Sequence, residues 1–214
     1  MTTPTPRRGR PPSGTAPARR EAVLDAALAL LIERGYAAVT MQAVAERVRG
    51  SKETLYRWFD DRDGLFAAII ERNADASVGT LVGVLSSAAS PNGTREALTS
   101  YARALLTLLT SPSSVALNRA AMGNERLSRT LLYGGRHRAG PAVEQFLKAA
   151  HTAGIIDAPD PTVAFGELYG LTVRDTQIRV LLGEKPPTKA AIDRRATEAV
   201  AQFLLLHAPR DDAL

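Results

Sequence analysis

Between Thr40 and Phe59 the chain carries two apolar stripes at helical spacing, joined through Val48-Arg49-Gly50-Ser51. Val44, Ala45 and Val48 form one stripe; Leu55, Trp58 and Phe59 form the other. Helices of about two turns are marginal alone in water, so both stripes must be buried against a common neighbour. Thr40 and Ser51 stand where N-caps are needed, each with a hydroxyl that can accept from a first-turn backbone N–H. Two capped short helices joined by a tight turn are a helix-turn-helix. A chain built on it buries Leu55 and Phe59 and leaves the other face of the second helix outward.

The flanking sequence supplies the neighbours. Leu24, Ala27, Leu28 and Leu31 recur at i, i+3, i+4 and i+7, which predicts an upstream helix that Gly35 ends as a left-handed cap. Asp61 can cap a fourth helix running through Leu65, Phe66, Ile69 and Ile70 to about Ser87. Helical segments are then expected near 95–110, 113–122, 125–133, 137–153, 161–182 and 188–207, separated by breakers such as "SPNG", "DAPDP" and "GEKPP". No stretch alternates with period 2. The expected class is all-α: a three-helix helix-turn-helix domain followed by a larger helical domain. The boundaries expected are 1–18 for a basic arm, 19–65 for the first domain and 66–214 for the second.

Charge is distributed unevenly. The net charge of +5 resides in the first 20 residues, through Arg7, Arg8, Arg10, Arg19 and Arg20 with no acid, while the rest of the chain balances. The arm's Arg8-Gly9-Arg10-Pro11 resembles the core of an AT-hook, which lies in the A·T-rich minor groove. On charge alone a solubilising tail explains it equally well.

The outward face of the second short helix carries Lys52, Glu53, Thr54, Tyr56 and Arg57. Lys52 and Arg57 can neutralise phosphates, the Tyr56 hydroxyl can donate to one, and Thr54 is short enough to approach base edges. Backbone N–H groups behind Thr40, Ser51 and Asp61 also favour phosphate.

With these residues assembled, "VLDAALALLIERGYAAVTMQAVAERVRGSKETLYRWFDDRDGLFAAII" resembles the DNA-binding domain of the TetR family of bacterial transcriptional regulators. The resemblance implies backbone contacts to DNA from Thr40, Lys52, Tyr56 and Arg62, and groove-facing positions for Ser51, Glu53, Thr54 and Arg57. One departure stands out. The family usually places Ala-Gly-Val-Ser in the turn; here Arg49 stands at the glycine and Gly50 at the valine. Either the turn shifts by one residue, or Arg49 takes a positive φ that is uncommon for arginine. Arg49 then reads as an added phosphate contact or as an exposed turn residue.

The later segment "LYGGRHRAGPAVEQFLKAAHTAGIIDAPDPTVAFGELYGL" resembles the C-terminal type of AefR-like members. The resemblance implies a homodimer formed by the last two helices, and a small-molecule effector. Ile192, Ala196, Ala199, Phe203 and Leu206 form a stripe suited to such a seam, or to an intramolecular core helix. Tyr101, Leu105, Asn118, Met122, His151, Phe165, Tyr169 and Arg174 are the candidate effector contacts. Few charges in these segments favour an apolar or aromatic ligand.

Other classes find less support. There is no cysteine, and His137, His151 and His207 are dispersed, so neither a metal site, a cofactor nor catalysis is expected. No apolar run approaches the roughly 18 residues that cross a bilayer. The basic start leads into "PPSGTAPARRE" and not into an apolar stretch, so a cytoplasmic protein is expected. Two alternatives remain: a helical small-molecule-binding protein with a degenerate DNA-binding domain, and an architectural DNA-binding protein using the arm alone. The expected function is a ligand-responsive repressor binding a palindromic, double-stranded DNA operator as a homodimer.

Overall fold

The structure, a computed structural model, describes residues 15–85 and 90–209, the side chain of Arg136 excepted. Arg8 and Arg10 lie outside the described residues. Helices account for the ordered elements, and no strand occurs among the described residues. The chain forms two compact units that divide between Ile69 and Ile70.

The first unit holds α1 (Ala16–Arg34), a 3₁₀ turn (Tyr36–Ala38), α2 (Met41–Arg47), α3 (Lys52–Phe59) and the start of α4 (Arg62–Gly83). α1 buries Val23, Leu24, Ala27, Leu30 and Leu31, whereas Leu28 is only half-buried. Gly35 ends it at φ 76°, donating its N–H to the Leu31 carbonyl at 2.9 Å. α1 packs on α2 and α2 on α3, and Val44, Leu55, Phe59, Leu65 and Phe66 are buried. Burying each such side chain contributes about 1.5–3 kcal/mol, more than the intrinsic helicity of helices this short.

The second unit continues through α5 (Pro91–Leu109), α6 (Pro112–Ala121), α7 (Glu125–Gly134), α8 (Arg136–Thr152), α9 (Pro161–Val173), α10 (Thr176–Leu181) and α11 (Lys189–Leu206). α5, α6 and α9 share one local device: a cap residue followed by proline at the first helical position. Ser90 accepts from the Gly93 N–H at 3.1 Å, Ser111 from Ser114 at 3.2 Å, and Asp160 from Thr162 at 2.9 Å. Proline costs nothing there, because its missing N–H would have no intrahelical partner.

Two expectations are corrected in this unit. The helix anticipated over 161–182 breaks at Arg174, which takes φ 45°. Arg195 on α11 caps the broken end, donating to the Thr172 carbonyl at 3.3 Å and to the Leu171 carbonyl. The α11 stripe is also not a free surface. Ile192, Ala196, Ala199 and Phe203 are buried in the chain's own interior, where α11 packs on α5 and α9. Of the five residues, only Leu206 is exposed, at 61%.

Candidate nucleic-acid interface

The turn between α2 and α3 is closed by the bonding of a Schellman motif. The Arg49 N–H reaches the Glu46 carbonyl at 3.1 Å, and the Gly50 N–H reaches the Ala45 carbonyl at 2.9 Å. That pattern needs a left-handed residue after the cap residue Val48, and Arg49 supplies it at φ 51°. The turn therefore does not shift by one residue. Holding a non-glycine residue in this conformation costs roughly 1–2 kcal/mol.

α3 then starts on Ser51, whose hydroxyl accepts from the Thr54 N–H at 3.2 Å and lies 3.1 Å from the Thr54 hydroxyl. Leu55 and Phe59 face inward, while Lys52, Glu53, Tyr56 and Arg57 are exposed on the opposite side and Thr54 is half-buried. Tyr56 is 43% exposed despite its size, and the Lys52 ammonium stands 5.6 Å from its ring centroid. Trp58 is half-buried, edge-on to Phe59 with ring centroids 6.3 Å apart.

Three contacts brace α1, α2 and α3. Arg47 makes a two-pronged pair with Glu33 of α1, both bonds at 2.7 Å. The hydrogen bond from Arg47 holds the Glu33 carboxyl below the ordinary carboxylate range. Arg20 lies over the Phe59 ring at 5.0 Å. Thr40 caps α2, its hydroxyl accepting from the Ala43 N–H at 3.0 Å, and is itself exposed.

The entry to α4 positions the last candidate contact residue, Arg62. Asp60 takes φ 69°, and the Asp61 carboxylate accepts from the Gly64 N–H at 2.6 Å. The Arg62 guanidinium stacks 4.2 Å above the Tyr36 ring, whose other neighbour is Phe66 at 5.0 Å. The Tyr36 hydroxyl donates to Asp63. Tyr36, Asp63 and Gly64 all fall within the run that carries the resemblance, but the sequence assigns them no role, because their contacts depend on the folded turn.

The remaining candidate residues are less concentrated. Tyr101, Leu105 and Phe165 lie buried in one apolar cluster of the second unit, with Tyr169 packed against it. Asn118 donates to the Ser114 carbonyl of its own helix at 2.8 Å, and His151 accepts from the Ala158 N–H at 3.2 Å. Met122 is 64% exposed, and Arg174 is exposed beside Gln202 at 3.4 Å. Neither Met122 nor Arg174 belongs to the apolar cluster. Among the described residues no group of three or more His, Asp or Glu could hold a metal ion, and no helix is long and apolar enough to cross a membrane.

Comparison with known proteins agrees with this geometry. Residues 23–69 match the family model described as bacterial regulatory proteins, tetR family, and residues 96–209 match that of the AefR-like transcriptional repressor C-terminal domain. A TetR transcriptional regulator from Agrobacterium tumefaciens is 36% identical, with 88% of this chain and 94% of that one covered at a TM-score of 0.75. The flavonoid-responsive regulator FrrA is 28% identical, covering 91% of this chain and 100% of its own at a TM-score of 0.69. The repressor KstR of Rhodococcus jostii is 46% identical over 54 residues, which span 25% of this chain and 26% of KstR. The chain thus matches about a quarter of the length of that curated relative.

Proposed function

This chain belongs to the TetR family of DNA-binding transcriptional regulators, and on that premise we propose that it is a ligand-responsive repressor acting as a homodimer on a palindromic operator. The families and relatives it matches are transcription regulators, not enzymes. The observation that carries the reading is α3, capped by Ser51 and anchored by Leu55 and Phe59, with Lys52, Glu53, Tyr56 and Arg57 outward. In a dimer two such helices enter successive major grooves, which gives a roughly palindromic site with half-sites about one helical turn apart.

Thr40, Lys52, Tyr56 and Arg62 hold the DNA backbone in this proposal, and Ser51, Glu53, Thr54 and Arg57 face the groove. Selection of binding sites from a random-sequence duplex pool tests it: a palindromic site should be enriched, and failure to enrich any site overturns the reading. With that site in hand, Tyr56→Phe should weaken binding to all duplexes alike, because a phosphate contact carries no base information. Thr54→Ala should relax preference at one base position of each half-site. The reverse pattern would reassign the two residues.

The arm serves the same operator. Arg8 and Arg10 insert into the minor groove flanking each half-site, as basic arms of other helix-turn-helix proteins do. Replacing both with alanine should lower affinity most for operators with A·T-rich flanks. Equal loss on G·C-rich flanks would reduce the arm to plain charge.

The effector is apolar or aromatic. The cluster of Tyr101, Leu105, Phe165 and Tyr169 supports this, as does similarity to a flavonoid-responsive regulator. Release of the operator requires that the effector bind the DNA-incompetent arrangement more tightly, and only that difference in affinity does the work. A second copy docks on the outward side of the last helices, where Val163 and Leu205 are exposed and Ile192, Ala196, Ala199 and Phe203 are turned away. Action on a chromosomal operator supports a cytoplasmic location.

A further inference from the structure

Arg49 occupies a backbone conformation that glycine would adopt more cheaply, and a glycine stands next to it where backbone conformation does not require one. Its φ of 51° places it in the left-handed region, where it closes the end of α2. Gly50 is not at positive φ. It is constrained only by space, since an added Cβ would meet Val48 Cγ2 at 3.2 Å. The arginine and the glycine are thus in the opposite order from the one that backbone conformation favours. Strain of this kind is a pointer to function when the side chain has something to do.

The Arg49 side chain is exposed, and among the described residues no acidic group holds it. The contrast with Arg47 is direct: two residues earlier in the chain, that guanidinium is committed to Glu33 through two bonds at 2.7 Å. In a docked helix-turn-helix the first helix crosses the DNA backbone and the second enters the groove, so the turn between them runs along the phosphates. Arg49 lies in that turn, two residues before the N-cap of the recognition helix.

We propose that Arg49 is an added phosphate clamp, kept in a strained turn because its guanidinium holds the DNA backbone at the mouth of the major groove. The clamp rests on the DNA-binding reading above and deepens it. Its chemistry is that of a planar fork on a phosphate, and it contributes affinity without sequence preference.

Stability and affinity then move in opposite directions. R49G and R49N both accept the left-handed conformation and remove the charge. R49G should melt about 2–4 °C higher than the wild-type chain. Both variants should bind the selected operator and a scrambled duplex of equal length on the order of tenfold more weakly. The salt dependence of binding should become shallower by about two in log–log slope, one for each copy of Arg49 in a dimer. R49K, which keeps a charge but not the fork, should fall between. Wild-type affinity and slope in R49G overturn the clamp while leaving the DNA-binding reading intact. So does a changed site preference, which would mean base contact, or a lower melting temperature, which would mean the turn is not strained. A wild-type chain that enriches no site overturns both.

Discussion

Replacing Gly64 with alanine should abolish operator binding by preventing the α3–α4 turn from closing. A Cβ at this position would stand 2.0 Å from the Phe59 carbonyl oxygen and 3.2 Å from its carbonyl carbon. The obstacle is backbone, so no side chain can swing aside to relieve it. Either Asp60 must leave its φ of 69° or α4 must move away from α3. We expect a loss of about 3 kcal/mol or more, at the upper end of overpacking substitutions. Thermal and denaturant melts followed by circular dichroism measure it. Gly79→Ala, about four turns further along the same helix, is the control: its Cβ meets nothing within 4 Å. That change should stabilise the helix by about 0.5–1 kcal/mol. A Gly64→Ala protein that melts and binds like the wild type would show that the turn yields, and that Gly64 is not a close-approach position.

The second large effect is expected from Leu55→Ala. Leu55 is 1% exposed and, with Phe59, is what holds α3 against its support. Truncating a buried leucine removes its transfer free energy and leaves a cavity that the surroundings only partly fill, about 2–5 kcal/mol in total. In a three-helix unit this small, such a loss loosens the helix that enters the groove, so stability and affinity fall together. Leu55→Met, which conserves volume, should cost less than about 1.5 kcal/mol and keep binding. An Arg57 substitution provides the opposite signature, with affinity lost and melting unchanged. If Leu55→Ala left the unfolding midpoint in place, α3 would owe its position to something other than this anchor.

What the sequence disclosed about the fold follows how local each determinant is. Thr40 and Ser51 were readable as caps because a cap is settled within four residues. The left-handed Gly35 was readable for the same reason, whereas "SPNG" and "DAPDP" read as breakers although Ser90-Pro91 and Asp160-Pro161 start α5 and α9. The face of α3 was legible because eight residues fix which side chains point inward. The break between α9 and α10 was not. It is held by Arg195, which reaches back from α11 to the Thr172 carbonyl at 3.3 Å. Nothing within 161–182 announces that partner. The α11 stripe shows a different limit: periodicity reveals that Ile192, Ala196, Ala199 and Phe203 share a face, but not whether a neighbour in the same chain or a second copy covers it. The turn at Arg49 was legible as a choice between two geometries, and the bonds from Arg49 and Gly50 to Glu46 and Ala45 decide it. At Gly64 the constraint came from a carbonyl five residues earlier, brought close only once the turn exists.

The chain's single tryptophan is Trp58, on the recognition helix itself. Half-buried and edge-on to Phe59, it is neither sealed in the core nor fully in water. The protein therefore carries an optical reporter on the helix proposed to enter the groove. Every photon of indole emission originates on α3, so changes in wavelength or quenching during titration report that helix alone, without a label and without interference from the second unit.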